Sequence, residues 1–216
     1  MSKGTFITFE GGEGSGKSTQ IRLLGDYLKI QKYDVVLTRE PGGTETGEGV
    51  RAIILTPGVE KALITELLLF SAARAQYVTE IVRPALEKGQ VILSDRFYDS
   101  TTVYQGYAGG LPLDDVHKIN KLATGNLVPD LTFVLDVPVE IGLERTIGEF
   151  GQGTQDFIDL KGRDFHTKVN EAFRTIARLD PYPQGRMVLV EYKKGDIDGM
   201  QQHIRHIALE YLTKSR

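Results

Sequence analysis

The stretch Gly11-Gly12-Glu13-Gly14-Ser15-Gly16-Lys17-Ser18 constrains this chain more than any other. It follows the apolar run Phe6-Ile7-Thr8-Phe9 and precedes a helical pattern with Ile21, Leu24 and Leu28 on one side. Strand, glycine-rich turn and helix in that order match the P-loop, G-x-x-x-x-G-K-[ST]. Glycines let successive backbone N–H groups turn inward, and the following helix N-terminus adds partial positive charge, so the turn can cradle a polyphosphate. The cradle is expected to run from Gly11 to Thr19, with Lys17 on the outer phosphates and the Ser18 hydroxyl on Mg²⁺. The competing reading, a flexible turn that happens to spell the motif, does not account for its place between a strand and a helix.

The rest of the composition narrows the partners. Among 216 residues the formal net charge is −3, which argues against a general nucleic-acid binder, since that would need a basic face. A phosphate-handling enzyme needs only a local cluster of cations. With no cysteine there is no disulfide, thiolate zinc site or cysteine nucleophile, which is compatible with a reducing cytoplasm. Met1-Ser2-Lys3-Gly4 leads into the first strand without an apolar signal core. The longest apolar stretch, about 62–73, is interrupted by Glu66 and is too short for a bilayer. A soluble cytoplasmic protein without a membrane partner is expected, one domain by default.

Four further apolar runs read as buried parallel strands: Val35-Val36-Leu37, Val91-Ile92-Leu93, Leu131 to Leu135, and Met187 to Val190. Helical patterns separate them, among them a long one from about Leu63 to Lys88 that bends near Pro84. Ile197, Met200, Ile204, Ile207 and Tyr211 mark one face of a terminal helix. The alternation predicts an α/β fold, a doubly wound parallel sheet whose ligands bind beyond the carboxyl ends of the strands. From Thr146 to Gly162 helical periodicity gives way to glycine, the pattern of either a closing lid or a plain surface loop.

Residues just past the strands carry the chemistry. Arg39-Glu40-Pro41-Gly42-Gly43 forms a tight turn in which Arg39 either faces an anion or is a solvated surface residue. In Ser94-Asp95-Arg96, Asp95 suits Mg²⁺ or its waters and Arg96 a phosphate. Phe70 with Arg74, and Thr101 with Tyr104 and Gln105, share helical faces and could frame a single base. By spacing alone, however, Phe70 reads as core and Arg74 as surface. The four histidines, His117, His166, His203 and His206, read as surface residues.

Taken together these stretches resemble the thymidylate kinase family in its bacterial form. The resemblance rests on Phe9 to Gln20, Thr38-Arg39-Glu40-Pro41-Gly42-Gly43-Thr44, Leu68 to Gln76, Asp95-Arg96-Phe97, Ser100 to Gly106 and Leu135-Asp136-Val137-Pro138. It implies a nucleoside-monophosphate-kinase-like domain over 1–216, with a five-stranded parallel sheet and a lid at about 146–162. It also implies ATP as donor with Mg²⁺, dTMP as acceptor, and a homodimer packed through helices. Phe70 would stack on thymine, Arg74 would bond a base oxygen, and Thr101 and Gln105 would lie at the base edge. Tyr104 would crowd the sugar, and Ser100 would join the dTMP-binding set. Arg39 and Arg96, helped by Arg51, would hold the dTMP phosphate, with Glu13 near the transferred group. Glu40–Pro41 would be a cis peptide.

One departure stands out. Relatives supply a transition-state arginine from the variable P-loop positions or from the lid, yet Gly12 to Ser15 contain none, and Phe157 stands where a lid arginine aligns. Arg145, with Arg163 or Lys161, is the expected substitute; the alternative is a compromised lid and an intrinsically slow enzyme. Two rivals stay open: another nucleotide or deoxynucleoside kinase on the same scaffold, the latter using Glu40 as base, and a GTP switch, whose Asn-Lys-x-Asp turn Asn120-Lys121-Leu122-Ala123 only partly resembles.

Overall fold

The computed structural model describes residues 4–150 (147–150 by backbone alone), 157, 158 and 160–214. Its five strands are β1 (Thr5–Glu10), β2 (Val35–Arg39), β3 (Val91–Asp95), β4 (Leu131–Asp136) and β5 (Met187–Glu191), in the order β2-β3-β1-β4-β5. Each pairing is parallel, as the continuous apolar runs predicted. The register sets Phe9 and Arg39 on either side of Asp95, so β1, β2 and β3 end level. Their following turns therefore crowd one edge.

Alternate residues of each strand feed opposite layers. Ile7 and Phe9, Val91 and Leu93, and Leu131, Phe133 and Leu135 pack against Ile21, Leu24 and Leu28 of α1 (Lys17–Ile30) and Ile204 and Ala208 of α9 (Ile197–Lys214). On the reverse face Phe6 and Ile92 meet Tyr77, Val82 and Phe97, while Val134 meets Val103, Val169 and Phe173. Both faces of the sheet are dry, which is why its strands lack polar alternation. β2 differs: it lies at the sheet edge and is only partly buried.

The other helices are α2 (Glu45–Leu55), α3 (Leu63–Tyr77), α4 (Arg83–Glu87), α5 (Tyr98–Thr101), α6 (Leu113–Thr124), α7 (Val139–Phe150) and α8 (Arg163–Leu179). The expected break near Pro84 takes the form of a π-helical segment, Val78–Val82, before α4. Proline cannot donate to the carbonyl one turn back and its ring crowds it, so the helix widens ahead of it. A second π-helical segment, Thr102–Ala108, continues α5.

α7 continues through Phe150, so helix occupies the first residues of the stretch expected to be a lid. Most of the remainder, 151–156 and 159, lies outside the described residues. The peptide Glu40–Pro41 is cis, as the resemblance implied. No helix among the described residues is long and apolar enough to cross a membrane.

Candidate active site

The glycine-rich turn connects β1 to α1, and its backbone geometry requires glycine. Gly14 has φ 63, and a Cβ there would meet the Gly142 carbonyl oxygen at 2.1 Å. Gly16, the residue capping α1, has φ 87. Lys17 folds back over the loop: its Nζ donates to Gly12 O at 2.9 Å, Gly11 O at 3.2 Å and Ser15 Oγ at 3.2 Å. Burial, then the neighbouring Arg96, lowers its pKa from the usual lysine value. An ammonium in that position is short of negative charge, which a phosphate would supply. Ser18 Oγ donates to Asp95 Oδ2 at 2.8 Å across the strand ends. A hydroxyl and one carboxylate are hard oxygen donors of the kind Mg²⁺ accepts beside substrate phosphates, so these residues fit that ion.

Arg96 links this cleft to a second pocket. It adopts φ 71, a left-handed backbone that costs a non-glycine residue about 1–3 kcal/mol. That turn swings its guanidinium back over the phosphate loop, where Nη1 donates to Gly11 O and Ser100 Oγ, both at 3.0 Å. Nη2 pairs with Glu13 Oε1 at 2.7 Å, and the Tyr104 hydroxyl donates to the same oxygen at 2.8 Å. Burial pushes the Glu13 carboxyl up, but Arg96, Lys17 and the Tyr104 hydroxyl outweigh it and hold its pKa at about 2.

Behind Arg96 lies Glu10, fully buried at the end of β1. It accepts from Phe97 N at 2.8 Å and Ser100 Oγ at 2.6 Å. Burial, reinforced by Asp99, pushes its pKa up to about 8. A carboxyl whose folded pKa exceeds its unfolded one stabilises fully below the unfolded value and loses that contribution as pH rises through the folded value. Thermal melts from pH 5 to 9 should therefore show stability falling toward pH 8, and Glu10→Gln should flatten that fall. An equally steep fall in the variant would assign it to other groups.

The second pocket is lined by Arg51, Phe70, Arg74, Thr101, Tyr104 and Gln105, with Glu13 and Arg96 at its mouth toward the phosphate loop. Arg74, which spacing alone placed on the surface, is 1% exposed. Its Nη1 donates to Asn120 Oδ1 at 3.0 Å and its Nη2 to Thr101 Oγ1 at 2.9 Å. Its Nε lies 2.7 Å from Glu40 Oε1, an ion pair rather than an aligned hydrogen bond. Burial pushes Glu40 up to about 7 against the downward pull of Arg74. Phe70 is half-buried on the pocket wall, so it is not a core residue.

Almost all the predicted residues converge here. The phosphate cleft takes in Glu13 to Thr19, Arg39, Asp95, Arg96 and Arg145. Arg39 is exposed and tied to Glu48 Oε1 at 2.9 Å, and Arg51 donates to Pro41 O at 2.9 Å. Of the three cations expected near the lid, Arg145 reaches the cradle: Nη1 donates to Gly14 O at 3.0 Å, and the guanidinium lies 5.4 Å from the Tyr192 ring centre. Arg163 pairs with Glu140 on the surface, and Lys161 pairs with buried Glu66. His117, His203 and His206 are exposed, but His166 is buried, which corrects its expected surface position. It lies on the inward face of α8 beside Val169, Asn170 and Phe173.

Sequence reasoning missed Glu10, Tyr192 and the Arg74 partner Asn120. Glu10 and Tyr192 follow apolar runs and obeyed the strand-end rule. Asn120 was visible only as part of a failed GTP-binding turn, because its partner is 46 residues away.

A phosphate cradle at the switch of a doubly wound parallel sheet, facing a separate pocket across Arg96, defines the P-loop nucleoside-monophosphate-kinase class. The family model described as thymidylate kinase matches residues 9–202. The chain is 46% identical over 210 residues to a thymidylate kinase of Symbiobacterium thermophilum, covering 97% of this chain and 94% of that one. It is 50% identical over 184 residues to a thymidylate kinase of Desulfovibrio desulfuricans, covering 82% and 83%. The crystal structure of thymidylate kinase from Ehrlichia chaffeensis superposes with a TM-score of 0.75 at 32% identity, covering 95% of this chain and 99% of that one. The chain belongs to the thymidylate kinase family.

Proposed function

We infer that the chain phosphorylates dTMP to dTDP, a step toward dTTP, taking the γ-phosphoryl group of ATP with Mg²⁺. One observation carries the reading: Arg96 and Glu13 stand where the phosphate cleft and the second pocket open to each other. A donor phosphate and an acceptor phosphate would meet there.

The acceptor oxygen of a monophosphate is already ionised near neutral pH, so positioning and positive charge matter more than a strong base. ATP would lie on the main-chain donors from Gly11 to Thr19, with Lys17 turning from the loop carbonyls to the outer phosphates. Ser18 and Asp95 would hold Mg²⁺, which supplies charge neutralisation on the β- and γ-phosphates. Arg96, with Arg39 and Arg51, would draw in the dTMP phosphate, which would displace Glu13 from the guanidinium. Phe70 would stack on thymine, and Arg74, Thr101 and Gln105 would read its edge. Tyr104 and Ser100 would border the sugar and phosphate. Arg145 would meet the γ-phosphate as charge develops.

A single kinase domain with a lid, working as a homodimer in the cytoplasm, completes the proposal. Ile53 on α2 and Ile64 and Leu68 on α3 are exposed apolar residues suited to a helix-packed dimer. Sedimentation velocity would test it.

A coupled kinase assay with ATP or GTP against dTMP, dUMP, CMP and thymidine tests donor, acceptor and base together. ATP with dTMP is expected to give the highest kcat/KM. Thymidine as the preferred acceptor would instead make Glu40 a base for a neutral hydroxyl and overturn the reading.

A further inference from the structure

Glu66 is the one acid in the apolar stretch 62–73 and is 2% exposed. Its carboxylate takes a bidentate contact from Lys161 Nζ, at 2.8 Å to Oε1 and 2.9 Å to Oε2. Oε2 also accepts from Gln105 Nε2 at 3.0 Å. Lys161 is itself held in place: its ammonium lies 4.9 Å from the Phe157 ring centre and 5.0 Å from that of Phe165. Phe157 in turn donates its backbone N–H to Leu55 O at 3.3 Å. None of this touches the phosphate cleft, and a buried ion pair adds little net stability over an apolar pair of the same volume.

Its consequence lies in the Gln105 amide. An amide has a donor end and an acceptor end, while a carboxylate in an ion pair offers only acceptors. Gln105 must therefore turn its NH₂ toward Glu66. Gln105 lines the acceptor pocket, and Oε1 is the end left for a ligand. On the same pocket Arg74 presents donors only. We propose that Glu66, pinned by Lys161, is a positioning residue for base choice: it fixes the Gln105 carbonyl toward the pocket, so that acceptor and Arg74 donor together select a base edge presenting an N–H beside a carbonyl. Thymine and uracil have that edge. Cytosine, with a bare ring nitrogen beside an amino group, reverses it.

The proposal rests on dTMP being the acceptor, and its test separates the two. In Glu66→Gln the new amide gives its oxygen to Lys161 and its NH₂ to Gln105, which then flips and offers a donor to the base. The kcat/KM preference for dTMP over dCMP should fall at least ~10-fold, mostly through KM, while kcat for dTMP changes less than about 3-fold. Lys161→Met removes the counter-ion, but even a neutral carboxyl keeps a carbonyl oxygen to accept from Gln105, so it should lower Tm and keep most of the preference. The double variant Glu66→Gln/Lys161→Met leaves no buried charge and carries the test should the single variant not fold: nothing orients its two facing amides, so its preference should also fall, though less. Loss of preference in Glu66→Gln but not in Lys161→Met supports the proposal. An unchanged preference, or equal loss in both single variants, overturns it. Wild-type protein that ignores dTMP overturns the underlying reading, whereas wild type that prefers dTMP beside unaltered variants overturns this inference alone.

Discussion

Arg145→Ala is expected to lower kcat by about 10³-fold while the KM for dTMP stays within a few-fold. Between donor and acceptor, negative charge gathers on the transferred phosphoryl group, and a cation that meets it there acts on the transition state more than on either bound substrate. The P-loop positions Gly12 to Ser15 supply no arginine. Lys17 approaches the loop from α1, and Arg145 comes from α7 on the opposite wall, bonded to Gly14 O at 3.0 Å and backed by the Tyr192 ring. The two other candidates are engaged elsewhere, Arg163 with exposed Glu140 and Lys161 with Glu66. Arg163→Ala should therefore leave kcat within a few-fold. Single-turnover rates on both variants check the assignment. Equal, small effects would mean that the γ-phosphate is met by another group.

Arg74→Met should act on stability and on binding at once, and a second substitution separates the two. The side chains of Arg74 and Glu40 are 2% and 1% exposed, and removing one member of such a buried pair typically destabilises by about 3–5 kcal/mol. The loss should grow as pH rises. Glu40, already pushed up to about 7 by burial even with Arg74 beside it, is cheap to bury when neutral and expensive when charged without a counter-ion. Arg74→Met/Glu40→Gln should recover much of the stability, because no lone charge remains. It should not recover the KM for dTMP, expected to rise at least ~10-fold, since a site built to bond a base oxygen has lost its donor. Denaturant melts at pH 6 and 8, with KM on both variants, check this. Recovery of KM in the double variant would make Arg74 a scaffold for the helices alone.

How much of this was legible beforehand depends on how local each signal is. The P-loop was readable because a strand, a glycine turn and a helix N-terminus are contiguous, and Gly14 and Gly16 do adopt the left-handed conformations it requires. The five strands were readable because burial on both sheet faces leaves apolar runs. Asp95 and Arg96 were found by the rule that ligands gather past strand ends. Arg74 shows the limit: its helical spacing suggested surface, and its burial depends on Glu40, Thr101 and Asn120, the nearest of them 27 residues away. Glu66 was noted only as a break in an apolar stretch, and its partners Gln105 and Lys161 lie 39 and 95 residues away.

The sequence by itself determined the sheet, the phosphate cradle and the family, because periodicity and short-range backbone chemistry are written along the chain. Only the tertiary structure decided which cation faces the cradle, which buried acids have partners and which way the Gln105 amide points. Those depend on electrostatic neighbours that packing brings together from distant segments, and on desolvation that exists only once the core has closed.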